Sequence, residues 1–385
     1  MIEQKEHFHG SDLEKIEKIY GIKKENIVSF AANVNPLGES GKLKTALSER
    51  IDAITKYPDR EYTSLRKAIG SYCKCDYNHI TVGNGCTELI SLFIQITAPK
   101  KTLLLGPTYS EYERDLRING SDISYYFLKE KDDFKINSDE FISAITTDTD
   151  LVIICNPNNP TGYLYTRKEM NQIRDLVRKY DLFLFSDEVY REFCYTGAPY
   201  ISAFHLEGIE NNVILVDSVS KRYSECGIRI GALITKNKQV RENVMKWCQA
   251  RLSPPLIGQI MAEASLDTPE EYMRDVYDEY VERRKFLIDG LNRIPGCYSP
   301  IPMGAFYTVA RLPIDDADKF CAWCLEEFDY EGQTIFMAPA SGFYTTPGLG
   351  KNEVRLAYVL KKEDLAKALV VLEKALETYN KKGKK

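Results

Sequence analysis

The sequence predicts an α/β fold, a mainly parallel sheet with helices on both faces, followed by a smaller α+β domain. Two observations carry this prediction. Between about residue 80 and residue 235, seven short apolar runs alternate with amphipathic stretches. That alternation is the pattern of strands crossing over through helices. After residue 236 the pattern changes to one long amphipathic stretch and then to shorter, scattered apolar runs. At 385 residues the chain is two to three typical domains long, enough to bury a large core.

The seven runs are, in order, HITVGNG (79–85), KTLLLGP (101–107), ISYYFL (123–128), DLVIICN (150–156), LFLFSDE (182–188), VILVDSVSK (213–221) and GALIT (231–235). Helical spacing marks TELISLFIQITA (87–98), SEYERDLRING (110–120), DEFISAI (139–145) and RKEMNQIRDLVRKY (167–180) between them. TPEEYMRDVYDEYVERRKFLIDGLNRI (268–294) reads as one long connecting helix, and AFYTVARL, QTIFMAP and EVRLAYVL read as strands of the smaller domain. The expected organisation is a large domain over 51–285 and a small C-terminal domain over 286–385. Residues 1–50 are too few to fold alone and are expected to pack against the small domain.

Composition excludes several function classes. There are 51 Lys and Arg against 56 Asp and Glu, a net charge of −5, so the chain lacks the basic excess that a general nucleic-acid binder needs. The longest uncharged run, Gly332 to Gly350, is interrupted by Pro339, Pro347 and four glycines and is no membrane span. MIEQKEHFHG lacks the basic-then-apolar order of a signal peptide. With no export signal, the ten cysteines point to reduced thiols and a cytoplasmic location. Cys321 and Cys324 in CAWC have redox-motif spacing, but they sit in an amphipathic stretch with Phe320, Cys324 and Phe328 four apart. Core filling is therefore the expected role, because a thioredoxin-like site opens its helix straight after a strand. His7 and His9 have no cysteine or carboxylate cluster beside them, and no metal site is expected.

In parallel sheets the ligand site lies beyond the carboxyl ends of the strands. Gly83-Asn84-Gly85, Asn156 to Gly162, Asp187-Glu188 and Ser218 to Lys221 all fall at such ends. In DSVSKRYSECGIRIGALI, Lys221 follows a strand directly, with Ser218 and Ser220 before it and Arg229 eight residues on. Burial would lower a lysine pKa and free its amine to form a Schiff base. The hydroxyls and Arg229 could hold a phosphate dianion. Taken alone, Lys221 and Arg222 read as a basic surface turn. Asp187, ending LFLFSD, is an anion where a protonated pyridine nitrogen would be a fitting partner. Tyr190 could donate to a ring oxygen, and Asn159 lies in a tight Pro/Asn loop. VGNGCTELI is a glycine loop opening a helix whose free N–H groups favour a phosphate. An N-cap, a turn and a helix start are the plain alternatives for these three.

The set GNGCTE (83–88), PTY (107–109), NPNNPTG (156–162), DEVY (187–190), SVSK (218–221) and GIRIG (227–231) resembles the pyridoxal-phosphate aminotransferases of classes I and II, in the family's order and over essentially the whole chain. The resemblance implies the fold type I architecture, with a seven-stranded sheet, pyridoxal 5'-phosphate as cofactor, and a homodimer with shared active sites. It implies that Lys221 forms the Schiff base, Asp187 pairs with the pyridine nitrogen, and Tyr190 and Asn159 hydrogen-bond the ring hydroxyl oxygen. Tyr109 would stack on the ring. Gly85, Cys86, Thr87, Ser218 and Arg229 would hold the phosphate, assisted by Tyr57 from the partner subunit. Cys86 stands where Ala or Ser is common. Arg355 would grip the substrate α-carboxylate, and the substrates would be an L-amino acid and a 2-oxo acid.

The two halves resemble different relatives. FHGSDLEKIEKIYGIKKENIVSFAANVNPLG with YPDREYTSLRKAI is similar to threonine-phosphate decarboxylases and histidinol-phosphate aminotransferases. The second half, from DEVYREFCYTGAPYISAF through NEVRLAYV, is similar to aspartate and aromatic aminotransferases. Amino-group transfer is the expected reaction, with decarboxylation of a phosphorylated amino acid, or transfer from histidinol phosphate, as the alternative. Arg251, just before SPP, lies near the place where dicarboxylate-specific relatives keep a distal arginine but does not match it; the plain alternative is an exposed cation.

Overall fold

The computed structural model describes residues 13–32, 34, 42–132, 134–344 and 346–382. The N-terminal part contains α1 (Leu13–Tyr20), β1 (Ile27–Ser29), α2 (Lys42–Arg50) and α3 (Thr63–Cys73). The large sheet is then laid down with its covering helices. Its elements are β2 (Ile80–Gly83), α4 (Cys86–Thr97), β3 (Lys101–Gly106), α5 (Ser110–Ile118), β4 (Asp122–Phe127), α6 (Ser138–Ala144), β5 (Leu151–Cys155), α7 (Arg167–Tyr180), β6 (Phe183–Asp187), β7 (Val213–Ser218), the one-turn α8 (Val219–Arg222) and β8 (Gly231–Ile234). The strand order is β2-β8-β7-β6-β5-β3-β4. β3 to β7 pair in parallel with their neighbours, while β8 runs antiparallel between β2 and β7. This is the seven-stranded, mainly parallel sheet that the apolar runs predict.

Near-continuous apolar strands are required here because both faces are covered. Leu103, Leu105, Val152, Ile154 and Leu184 face α6 and α7, meeting Phe141, Met170, Ile173 and Val177. Leu104, Ile153, Phe185, Ile214 and Val216 face the other way, onto Leu89, Ile90 and Phe93 of α4 and Tyr112 and Leu116 of α5. The period-2 alternation of a strand thus divides each run between two helical layers.

The chain continues through α9 (Lys238–Ala250), α10 (Leu256–Leu266) and the long α11 (Glu270–Leu291), which fills the predicted 268–294 stretch. Beyond it lie β9 (Tyr307–Arg311), α12 (Ala317–Glu326), β10 (Thr334–Phe336), β11 (Ala338–Pro339), α13 (Ser341–Tyr344), β12 (Glu353–Ala357) and α14 (Lys362–Lys382). QTIFMAP does not form one strand. β10 pairs in parallel with β1, and β11 joins the antiparallel sheet β11-β12-β9. The N-terminal segment divides as well. Ile16, Ile27 and Ala31 pack with Leu325 and Phe336 of the C-terminal part. α2 instead lies against α10, with ion pairs from Lys42 to Asp267 and Arg50 to Glu263. Cys321 and Cys324 are buried within α12, and all ten cysteines are free thiols. Burial pushes both thiols well up, which keeps them protonated and inert.

The Asn156–Gly162 loop is hydrogen-bonded to the chain just before β9. Gly162 holds φ +68°, and its carbonyl accepts from the N–H groups of Met303 and Gly304 at 3.0 and 2.8 Å. A Cβ on Gly162 would lie 2.7 Å from the carbonyl oxygen of Tyr307 and 2.8 Å from that of Gly304. Both are backbone atoms that cannot swing aside. Gly162→Ala should therefore destabilise the protein by about 2–4 kcal/mol, from left-handed strain and overpacking together, read as a lower urea midpoint.

Candidate active site

The polar groups at the strand ends converge. Asp187 ends β6, and its two oxygens are held by different donors: the Tyr112 hydroxyl at 2.6 Å and the backbone N–H of Val189 at 3.2 Å. Burial is the largest influence on this carboxyl and pushes it up to about 6; the two hydrogen bonds and the charge of Lys221 oppose that rise. No arginine or lysine is hydrogen-bonded to it among the described contacts, so a cation arriving from the cleft would stabilise the anion.

Lys221 sits on α8, one turn past β7. Its Nζ lies 6.0 Å from the ring centre of Tyr190. Burial lowers its pKa, and among the charges acting on it are those of Arg355, Asp187 and Arg229. The next residue points the other way. Arg222 is 2% exposed, ion-paired with Asp217 and stacked 4.0 Å from the ring centre of Tyr72. Lys221 and Arg222 are therefore not a basic surface turn. The buried Asp217–Arg222 pair, reached also by Arg191 at 3.7 Å, anchors the turn that presents Lys221 to the cleft.

Gly85, Cys86 and Thr87 open α4, where Gly85 has φ +83° and supplies no side-chain cap. The first N–H groups of α4 are thus left for an anion. A Cβ on Gly85 would collide with the Arg229 guanidinium, and one on Gly231 would lie 2.5 Å from the Cys86 nitrogen. These glycines let two backbone segments, Gly85–Cys86 and Gly231, and the Arg229 guanidinium close into a cradle. Ser218 caps α8 through the Ser220 N–H at 3.1 Å, and Arg229 donates to the Cys226 carbonyl at 2.9 Å. Cys86 turns its thiol to the Asp217 carbonyl at 3.2 Å, leaving only its N–H toward the cradle. Tyr109 precedes α5 and meets Tyr112 edge-on at 5.5 Å.

Arg355 enters from β12. Its guanidinium donates to Asn159 Oδ1 at 3.2 Å and to the Ala31 carbonyl at 3.1 Å, and lies 4.5 Å from the ring centre of Tyr307 and 5.0 Å from that of Phe343. It is buried, its Nε has no hydrogen-bond partner, and among the described residues no carboxylate pairs with it. Since Asn159 Oδ1 accepts from Arg355, its amide nitrogen remains a donor toward the cleft. Tyr190 meets the hydroxyl of Tyr307 at 3.1 Å.

Tyr57, expected to serve a partner subunit's phosphate site, is 85% exposed on the surface of this chain. Arg251 is neither a free cation nor a ligand in waiting. It forms a two-pronged ion pair with Glu88 on the first turn of α4. His7 and His9 lie outside the described residues, and among those described no cluster of three or more His, Cys, Asp or Glu could hold a metal. Tyr112, Tyr307 and Phe343 carry no signal in the sequence, since aromatics at helical or strand spacing look like core, and Ala31 carries none because it acts through its backbone carbonyl.

The donor set fits pyridoxal 5'-phosphate: a helix N-terminus with glycine, serine and arginine for a phosphate, a buried acid for a ring nitrogen, a phenol and an amide for a ring oxygen, and a lysine amine. Residues 25–372 match the family model described as aminotransferase class I and II. The chain is 26% identical over 378 residues to a histidinol-phosphate aminotransferase of Methanocaldococcus jannaschii, covering 97% of this chain and 95% of that protein. It is 29% identical over 263 residues to a threonine-phosphate decarboxylase of Salmonella typhimurium, covering 67% of this chain and 70% of that one. The solved aromatic aminotransferase of Pyrococcus horikoshii shares its fold with a TM-score of 0.83 at 26% identity, over 96% of this chain and 99% of that chain. With this match over most of its length, the chain belongs to the class I and II aminotransferases, which are enzymes dependent on pyridoxal 5'-phosphate.

Proposed function

We propose that this enzyme moves an amino group between an L-amino acid and a 2-oxo acid, using Lys221 as the amine that holds the cofactor and carries the substrate proton. The observation that supports it most is Arg355, a buried guanidinium with no acid beside it among the described residues. A buried charge without a partner is costly, so the site is built to receive an anion. The α-carboxylate of an amino acid supplies one and brings Cα toward Lys221, whose amine feels the charge of Arg355.

Gly85, Cys86, Thr87, Ser218 and Arg229 would hold the phosphate, Tyr109 would cover the ring face, Tyr190 and Asn159 would donate to the ring oxygen, and Asp187 would pair with the ring nitrogen. Tyr57 from a second copy would complete the phosphate site of a homodimer, in a cytoplasmic enzyme. Bound there, the cofactor serves as an electron sink for the bond that breaks at Cα. The lowered pKa of Lys221 makes its amine a base that can take the Cα proton and return it. Arg355 clamps the carboxylate as an anion, which stabilises it most while its charge stays in place. Loss of carbon dioxide would draw that charge away, so the clamp favours proton removal over decarboxylation. The likeness to a threonine-phosphate decarboxylase supports decarboxylation as the second reading.

A donor screen separates the two. An ordinary L-amino acid should yield its 2-oxo acid and convert the cofactor to the aminated form. Reaction with O-phosphorylated amino acids alone, with carbon dioxide released, would establish the second reading instead. Lys221→Ala should lower turnover more than about 10³-fold while the protein still binds cofactor without a covalent link.

The acid predicts a pH effect. With burial holding its pKa at about 6, Asp187 is an anion above that pH and neutral below it. Affinity for a cofactor protonated on its ring nitrogen should fall as pH drops through about 6. Equilibrium dialysis of Asp187→Asn should show weaker binding above pH 6 and no such inflexion.

A further inference from the structure

Tyr307, in the strand run AFYTVARL, belongs to none of the six motifs that carry the family resemblance, yet it touches two of the groups that the proposed reaction needs. Its hydroxyl is 3.1 Å from the Tyr190 hydroxyl. Its ring lies under the Arg355 guanidinium at 4.5 Å and against Phe306 at 4.7 Å. All four side chains are buried. The strand that carries Tyr307 is fixed as well: its backbone oxygen lies against Gly162 in the loop bearing Asn159, and Thr308 and Val309 follow in register with β12.

Two facing hydroxyls have one bond between them to share, and either could donate it. If the Tyr190 proton points at the cofactor's ring oxygen, as proposed above, the Tyr190 oxygen can only accept. Tyr307 must then be the donor of the pair. A phenol that accepts a hydrogen bond is itself the stronger donor, because the two bonds polarise one another. We propose that Tyr307 is a positioning residue that turns the Tyr190 hydroxyl toward the cofactor's ring oxygen and strengthens its donation there. The inference rests on the placement of Tyr190 proposed above.

A stronger donor at the ring oxygen stabilises that oxygen as an anion and lessens its hold on the neighbouring imine proton. Weakening the donor should therefore raise the pH midpoint of the visible absorption of the loaded enzyme. The test is a spectrophotometric pH titration of the cofactor-loaded wild type, Tyr307→Phe, Tyr190→Phe and the double variant. Cofactor content and circular dichroism show that each is folded. Phe keeps the ring under Arg355 and removes only the hydroxyl. Tyr190→Phe should raise the midpoint. Tyr307→Phe should raise it by about half to one pH unit, the worth of one hydrogen bond. In the Tyr190→Phe background, Tyr307→Phe should add nothing. No shift on Tyr307→Phe, or an equal shift in both backgrounds, would overturn the role of Tyr307 while leaving the placement of Tyr190 intact. A midpoint unmoved by Tyr190→Phe would overturn that placement, and the role of Tyr307 with it. If Tyr307→Phe does not fold, Tyr307→Leu and Tyr307→Met replace it under the same criterion.

Discussion

The Arg355 guanidinium joins three stretches of chain that are far apart in sequence. It leaves β12, reaches Asn159 in the loop after β5, and reaches the Ala31 carbonyl just past β1. Tyr307 of β9 and Phe343 of α13 flank it. A charge in such a place must be compensated. The local solution is partial, since two neutral acceptors and two aromatic faces spread the charge without cancelling it. What remains is a positive site buried beside the lysine, and the docking of the smaller β-structure against the large sheet is what puts it there.

The large sheet supplies the opposite terms. β5, β6 and β7 end side by side, so the Asn159 loop, Asp187 and the Lys221 turn open into one cleft. Each is set by structure behind it. Tyr112 and the Val189 N–H hold Asp187. The Asp217–Arg222 pair holds the turn of Lys221. Burial then acts in opposite directions on the two groups, raising the acid and lowering the amine. Both shifts lower the cost of burying the two groups and leave each ready for a partner of opposite sign.

Much of this was legible in the sequence for a physical reason. Residues at the ends of buried parallel strands have little choice of environment, so Asp187, Asn159, Ser218 and Lys221 announce themselves as polar groups after apolar runs. Their supports do not. Tyr112 falls at core spacing in α5, and Tyr307 sits in the strand pattern of AFYTVARL, so each reads as packing. Arg222 and Lys221 are adjacent letters, and only the one-turn helix α8 shows that one faces Asp217 and the other the cleft. The pairing of Arg251 with Glu88 spans 163 residues, a separation that no local pattern encodes. QTIFMAP reads as one strand because its break, at Met337, is a change of sheet rather than of hydrophobicity.

All of the chemistry assigned to this site depends on Lys221 being the amine that holds the cofactor. The most direct measurement is borohydride reduction of the loaded protein followed by peptide mapping, because reduction turns the link between a lysine and the cofactor into a stable bond. The expected result is a single modified peptide, with the added mass on Lys221. Modification at a different lysine, or a loaded protein that yields no modified peptide, would contradict it.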